Sequence, residues 1–182
     1  MLFVPIHIII IAIFFVFPFI RFVKHKANLI RIAGLFFLFL YTIILVKAVI
    51  FPIYLKGMIP AGPPAINIVP FKSIIETFIY MSVKTSLIQV VGNIVLFIPL
   101  GFLIPIINGN VNKLSKIMIL IFSVSLSIEL VQLFISLAAG VPSHVTDIDD
   151  IILNFIGGII GYFVYLIINK FILSKFELRS EE

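Results

Sequence analysis

Five apolar windows, each long enough to cross a bilayer, constrain this chain more than any other feature. They run from Leu2 to Ile20, Ile32 to Phe51, Leu87 to Ile107, Ile117 to Ala138 and Ile148 to Ile168. A helix needs about 20 apolar residues to traverse a hydrocarbon layer roughly 30 Å thick. Inside lipid, backbone N–H and C=O groups must be satisfied within the protein, which favours α-helices over isolated strands. The expected fold is therefore all-α, a polytopic transmembrane bundle of about five spans forming a single domain over residues 1–182. Composition leaves no aqueous alternative: 62% of residues are hydrophobic and 12% charged, against about a quarter charged in soluble domains. The first window has no Lys or Arg ahead of it and no small-residue cleavage site behind it, so it reads as a true span and not a signal peptide.

The net charge of +5 resembles a nucleic-acid signal, but in so apolar a chain basic residues mark helix ends, and no nucleic-acid partner is expected. With the N-terminus outside, the inner segments hold Arg21, Lys24, Lys26, Arg31, Lys113, Lys116, Lys170, Lys175 and Arg179, and the outer ones only Lys47, Lys56, Lys72 and Lys84. The positive-inside bias thus predicts N-out, C-in. The absence of Cys excludes disulfides, thiolate zinc sites and cysteine nucleophiles.

Between the second and third spans, residues 52–86 form an outer loop in which Pro52, Pro60, Pro63, Pro64 and Pro70 oppose regular helix or central strand. At its end, Ser73 and Glu76 have capping-box spacing, and Ile74, Ile75, Phe78 and Ile79 recur helically, predicting a short interfacial helix.

Polar side chains inside hydrocarbon cost a few kcal/mol each when unpaired, so their positions carry the functional information. Ser125, Glu129, Gln132 and Ser136 share one helical stripe, and Asp150, Asn154, Gly157 and Gly161 repeat its offsets in the last span. Gln132, Asn154 and Asn93 fall at similar depth, which predicts a shared chamber with Glu129 below it and Asp147, Asp149 and Asp150 around an outward mouth. Pro99, Gly101 and Pro105 are expected to loosen the third span halfway across. Each reading has a plain structural alternative: interhelical hydrogen bonding for Glu129, Gln132, Asn93 and Asn154, a solvated turn with an N-terminal cap for Asp147 and Asp149, a solvated loop residue for His144, and packing for the glycines. No metal site or cofactor is expected.

The segments NIVPF (Asn67 to Phe71), GNIVLFIPLGFLIP (Gly92 to Pro105), SIELVQ (Ser127 to Gln132) and DIDDIILNFIGGIIGY (Asp147 to Tyr162) together resemble the VanZ-like family. The resemblance implies a small multipass protein of a bacterial cell membrane, from a family whose founding member is associated with low-level resistance to the lipoglycopeptide teicoplanin. It maps recurring polar positions onto Asn67, Asn93, Glu129, Gln132, Asp147, Asp150 and Asn154. Many relatives carry Arg three residues before the first Asp of DIDD, whereas this chain has His144, so a permanent cation is missing there.

No HExxH, GxxxxGK[ST], GxSxG or Rossmann glycine pattern occurs. The favoured reading is a non-enzymatic membrane factor that uses Asn67, Asn93, Glu129, Gln132, His144, Asp147, Asp150 and Asn154 to bind an amphiphilic molecule or membrane partner. Its expected partners are membrane lipids and a lipoglycopeptide or lipid-linked envelope precursor. The alternative is an intramembrane enzyme acting on a lipid or envelope intermediate, with Glu129 as acid or base, Asp150 as a second catalytic candidate, and Asp147, Asp150 and His144 gathering a cation. Proton-coupled transport is less well served, because the polar stripes thin toward the inner ends.

Overall fold

In a computed structural model, residues 13, 15, 16, 18–20 and 29–177 are described, with side chains to residue 171. Most of the first predicted span, Leu2 to Ile20, lies outside the described residues, as do Arg21, Lys24 and Lys26. The rest forms four long helices: α1 (Leu29–Ile50), α3 (Val83–Ile107), α4 (Leu114–Ala139) and α5 (Ile148–Glu177). A short helix, α2 (Lys72–Tyr80), and two three-residue strands, β1 (Ala65–Asn67) and β2 (Val145–Asp147), sit in the connections. All four long helices contain stretches long and apolar enough to cross a membrane.

The surface is inverted relative to a soluble bundle. Phe36, Phe37, Ile44, Ile119, Phe134 and Ile167 are each more than half exposed, while Ser125, Glu129, Ser136, Asp147, Asp149 and Asn154 are buried. Lipid reverses the usual preference, since apolar side chains need no shielding from acyl chains and polar ones do. An apolar core of Tyr41, Leu45, Phe97, Leu100, Ile117, Ile121 and Tyr162 ties all four helices together.

The closest packing joins α3 to α5 through glycine. A Cβ added at Gly101 would collide with the Gly158 carbonyl, and one at Gly157 or Gly161 with the carbonyl of Ile94 or Ile98. On its other side, Gly158 accommodates the Ile121 side chain of α4. Small residues let backbones approach where association depends on packing and not on water release. The expected break in the third span does not occur: α3 continues as helix through Pro99 and Pro105. The segment packs against α5 along the glycine seam and against α1 where Gly34 meets Ile106 and Ile107, contacts that offset the two lost donors.

The proline-rich segment forms neither regular helix nor central strand, but it contributes a short edge strand, β1, which pairs in parallel with β2 in the register Ala65↔Val145, Ile66↔Thr146 and Asn67↔Asp147. It is three residues long and fits between Pro64 and Pro70, so no proline interrupts its ladder. The short helix α2 forms, but not with the Ser73–Glu76 capping box. Its N-cap is Phe71, which makes no side-chain cap; Ser73 instead accepts from Asn67, and Glu76 pairs with Lys72 at 3.9 Å. The missing cap is supplied from α5.

Candidate functional site

The site is assembled where α4 ends and α5 begins. α4 stops at Gly140, whose φ of 65° reverses the chain in a conformation that glycine adopts without strain. Ser136 then stitches the turn, accepting from the His144 N–H at 3.0 Å and donating to its carbonyl at 3.2 Å. The Ser143 hydroxyl receives the Tyr54 N–H at 2.9 Å, tying this turn to the loop after α1.

Asp147 occupies the junction between β2 and α5. Its N–H donates to Glu129 Oε2 at 2.8 Å, and its Oδ1 accepts from the Asp149 N–H at 2.9 Å and from Asn67 Nδ2 at 2.8 Å. The first of those acceptances caps α5 two residues into the helix. Asp149, 1% exposed, turns the other way: one oxygen accepts from the Phe71 N–H and the other from the Ile74 N–H at 3.2 Å. It therefore caps α2 from a different helix and fixes Phe71 at its positive φ of 66°. Asp150, half-buried, accepts from Asn93 Nδ2 of α3. One helical turn further along α5, Asn154 donates to Ser125 of α4 at 2.9 Å.

Four carboxylates, Glu129, Asp147, Asp149 and Asp150, thus gather at one end of the bundle. The ion pair between Lys72 and Glu76 involves none of the four. Backbone N–H groups, side-chain amides and the positive end of the α5 dipole offset their charge. Of the structural alternative for Asp147 and Asp149, the N-terminal cap is present at Asp147, but the turn is not solvated, because both are buried. Among the described residues no three His, Asp or Glu side chains are grouped to hold a metal ion.

All eight sequence-derived binding candidates lie on the elements meeting here or on the turn between α4 and β2. Asn67 and Glu129 are joined to Asp147, and Asn93 to Asp150, by hydrogen bonds; Asn154 sits one turn deeper, and His144 immediately before β2. Gln132 departs from the expected pattern, since its Nε2 donates to the Val49 carbonyl of α1 at 2.8 Å. The three amides predicted to share a chamber are therefore spent on three separate partners. Helical spacing placed them at one depth but said nothing of which neighbour each would find. Sequence reasoning also missed the roles of Ser73, Ser125 and Asp149 as hydrogen-bond partners. The signal for Asp149 was a helix, α2, whose own N-cap residue has no capping side chain.

Several buried polar atoms here have no partner: Gln132 Oε1, Asn154 Oδ1, Thr146 Oγ1 and His144 Nε2. Burial pushes the His144 imidazole below its ordinary pKa, while a hydrogen bond to the Ile50 backbone pulls the other way. A histidine whose folded pKa is depressed stabilises the fold above its ordinary value, and that contribution is lost as pH falls. Wild-type protein in detergent is therefore expected to lose melting temperature below about pH 6.5 more steeply than His144→Gln. Parallel curves for the two proteins would show that this ring does not titrate against the fold.

A family model described as VanZ/LLP1 matches residues 4–169 of the chain. No curated protein and no solved structure matches it.

Proposed function

The chain belongs to the VanZ/LLP1 family, and from that premise we propose that it binds an amphiphilic, lipid-tailed molecule or membrane partner at its acidic end. In this reading that end faces outward from a bacterial cell membrane, the protein alters sensitivity to teicoplanin-type lipoglycopeptides, and no bond is made or broken. The observation that carries it is the half-buried Asn93–Asp150 pair. It lies beside the buried carboxylates and one residue along α3 from Gly92, the outermost α3 residue lining an apolar groove of about 870 Å³ between α1 and α3. A polar cluster close to a lipid-accessible groove suits a ligand with a hydrogen-bonding head and an acyl tail.

Expression in a teicoplanin-susceptible bacterium tests this. Wild-type protein is expected to raise the inhibitory concentration, and Asp150→Asn and Glu129→Gln to abolish that increment while the protein remains in the membrane. Identical sensitivity with wild type, both variants and the empty vector would remove the proposal.

A second reading has one observation in its favour. Only Oε2 of Glu129 is engaged by Asp147, which leaves the other oxygen of a carboxylate 2% exposed free for proton transfer to a lipid or envelope intermediate. Release of phosphate or headgroup from lipid substrates by purified protein, lost in Glu129→Gln, would favour this enzyme over the binding factor.

A further inference from the structure

The opposite end of the bundle carries a different chemistry. α3 ends at Ile107, a three-residue 3-10 turn (Gly109–Val111) follows, and α4 begins at Leu114. The turn is well braced: Asn108 Oδ1 accepts from the Asn110 N–H at 3.1 Å, Lys116 Nζ donates to the Asn110 carbonyl at 2.7 Å, and the Tyr162 hydroxyl of α5 donates to the Asn112 carbonyl at 2.6 Å. Facing it from the first turn of α1 is Arg31, whose guanidinium reaches within 3.8 Å of where a Gly109 Cβ would stand.

Between them lies a cavity of about 600 Å³, lined by Arg31, Asn108, Gly109 and Asn110 on its polar side and by Pro18, Leu35 and Ile107 on its apolar side. Leu35 is also a wall of a second, wholly apolar cleft of about 190 Å³ that runs along α1 past Phe36 and Phe39. Leu35 and Phe39 lie one and two turns in from Arg31, about 6 and 12 Å toward the membrane centre. In sequence this end carries Arg31, Lys113, Lys116 and Lys170, with Lys175, Glu177, Arg179, Glu181 and Glu182 following on the C-terminal side. Arg31 has no carboxylate at ion-pair distance among the described residues.

We propose that this basic end is a binding site for an anionic phospholipid, with the headgroup phosphate held by Arg31 and the Asn108–Asn110 turn and one acyl chain laid in the Leu35–Phe39 cleft. Three features point to that ligand. The guanidinium presents a planar fork of donors suited to phosphate oxygens and has no carboxylate partner among the described residues to give up. Along the sequence the segments at this end carry nine Lys and Arg against Glu177, Glu181 and Glu182, an excess of positive charge that favours anionic over zwitterionic headgroups. The polar cavity shares a wall with an apolar cleft directed into the membrane, so the site matches an amphiphile and not a free anion. This inference is independent of the function proposed above, whose site lies at the other end.

Full-length protein, stripped of lipid in maltoside detergent and titrated with phosphatidylglycerol or phosphatidylcholine, tests it by native mass spectrometry of bound lipid. Phosphatidylglycerol should bind first. Arg31→Gln should weaken its binding about tenfold, equivalent to ~1.4 kcal/mol, with Arg31→Lys in between. Lys47→Gln, at the acidic end, should bind as wild type does. Because Arg31 is exposed, its replacement leaves the core intact, and an unchanged melting temperature confirms that each variant is folded. Equal binding of the two lipids, or equal phosphatidylglycerol binding by wild type and Arg31→Gln, would overturn the proposal. So would displacement of phosphatidylglycerol by millimolar inorganic phosphate, which would assign the site to a soluble anion instead.

Discussion

Replacing Asp149 with alanine is expected to cost about 2–4 kcal/mol and to free α2 from the bundle, although Asp149 lies outside the helix that it caps. The buried carboxylate accepts from the Phe71 and Ile74 N–H groups, two of the four donors that the start of a helix leaves unsatisfied. Losing a cap costs about 1–2 kcal/mol, and a buried donor left without a partner costs about 1–3 kcal/mol. Phe71 would also lose the contact that stabilises its left-handed backbone, a conformation that non-glycine residues rarely adopt. Asp149→Asn keeps one acceptor and replaces the other with a donor, so it should lose roughly half as much. Thermal unfolding in detergent reads the stability, and hydrogen exchange at the Phe71 and Ile74 amides reads the cap. If these amides stay as protected in Asp149→Ala as in wild type, the cap does not come from α5.

That interaction shows where sequence reasoning reaches and where it stops. Hydrophobic length located the long helices: the windows at Ile32, Leu87, Ile117 and Ile148 correspond to α1, α3, α4 and α5 with ends shifted by a few residues, except that α5 runs on past Ile168 to Glu177. Helical spacing also identified which residues face the interior, since Ser125, Glu129 and Ser136 are all buried. Pairing was not legible, because periodicity fixes a direction around one axis and leaves the neighbouring axis unspecified. Gln132 shares the Glu129 stripe yet reaches α1, and Asp149 reaches back 75 residues and more to α2. Proline was over-read for the same reason. Pro99 and Pro105 weaken an isolated helix, but here α3 is pressed between α1 and α5, and that packing decides its course.

The two ends also differ in how their charges are handled. At the acidic end carboxylates are consumed internally, as caps and as acceptors from Asn67 and Asn93, so they brace the connections as much as they offer a surface. At the basic end Arg31 meets no carboxylate among the described residues. A ligand at the first must compete with existing hydrogen bonds, whereas one at the second has no such carboxylate to displace, so binding at the acidic end should depend more strongly on rearrangement of α2 and the β1–β2 pair.

The glycine seam leads to the last expectation. Gly101→Ala, Gly157→Ala and Gly161→Ala should each destabilise the protein by about 3 kcal/mol, the upper part of the range for overpacking. In each case the added Cβ meets a backbone carbonyl, of Gly158, Ile94 or Ile98, and a backbone cannot rotate out of the way as a side chain can. One helix must move, and because α3 and α5 also carry Asn93 and Asp150, the same displacement separates that pair. The matched control is Gly92→Ala on α3. A Cβ there meets nothing within 4 Å, and alanine in a helix interior is favoured over glycine by about 0.5–1 kcal/mol, so this variant should be as stable as wild type or slightly more so. Melting temperatures in detergent discriminate sharply, since the same chemical change is expected to act in opposite directions at positions on one helix. If Gly92→Ala and Gly101→Ala shift the melting temperature alike, the two backbones do not meet at this seam, and the placement of Asp150 against Asn93 loses its support.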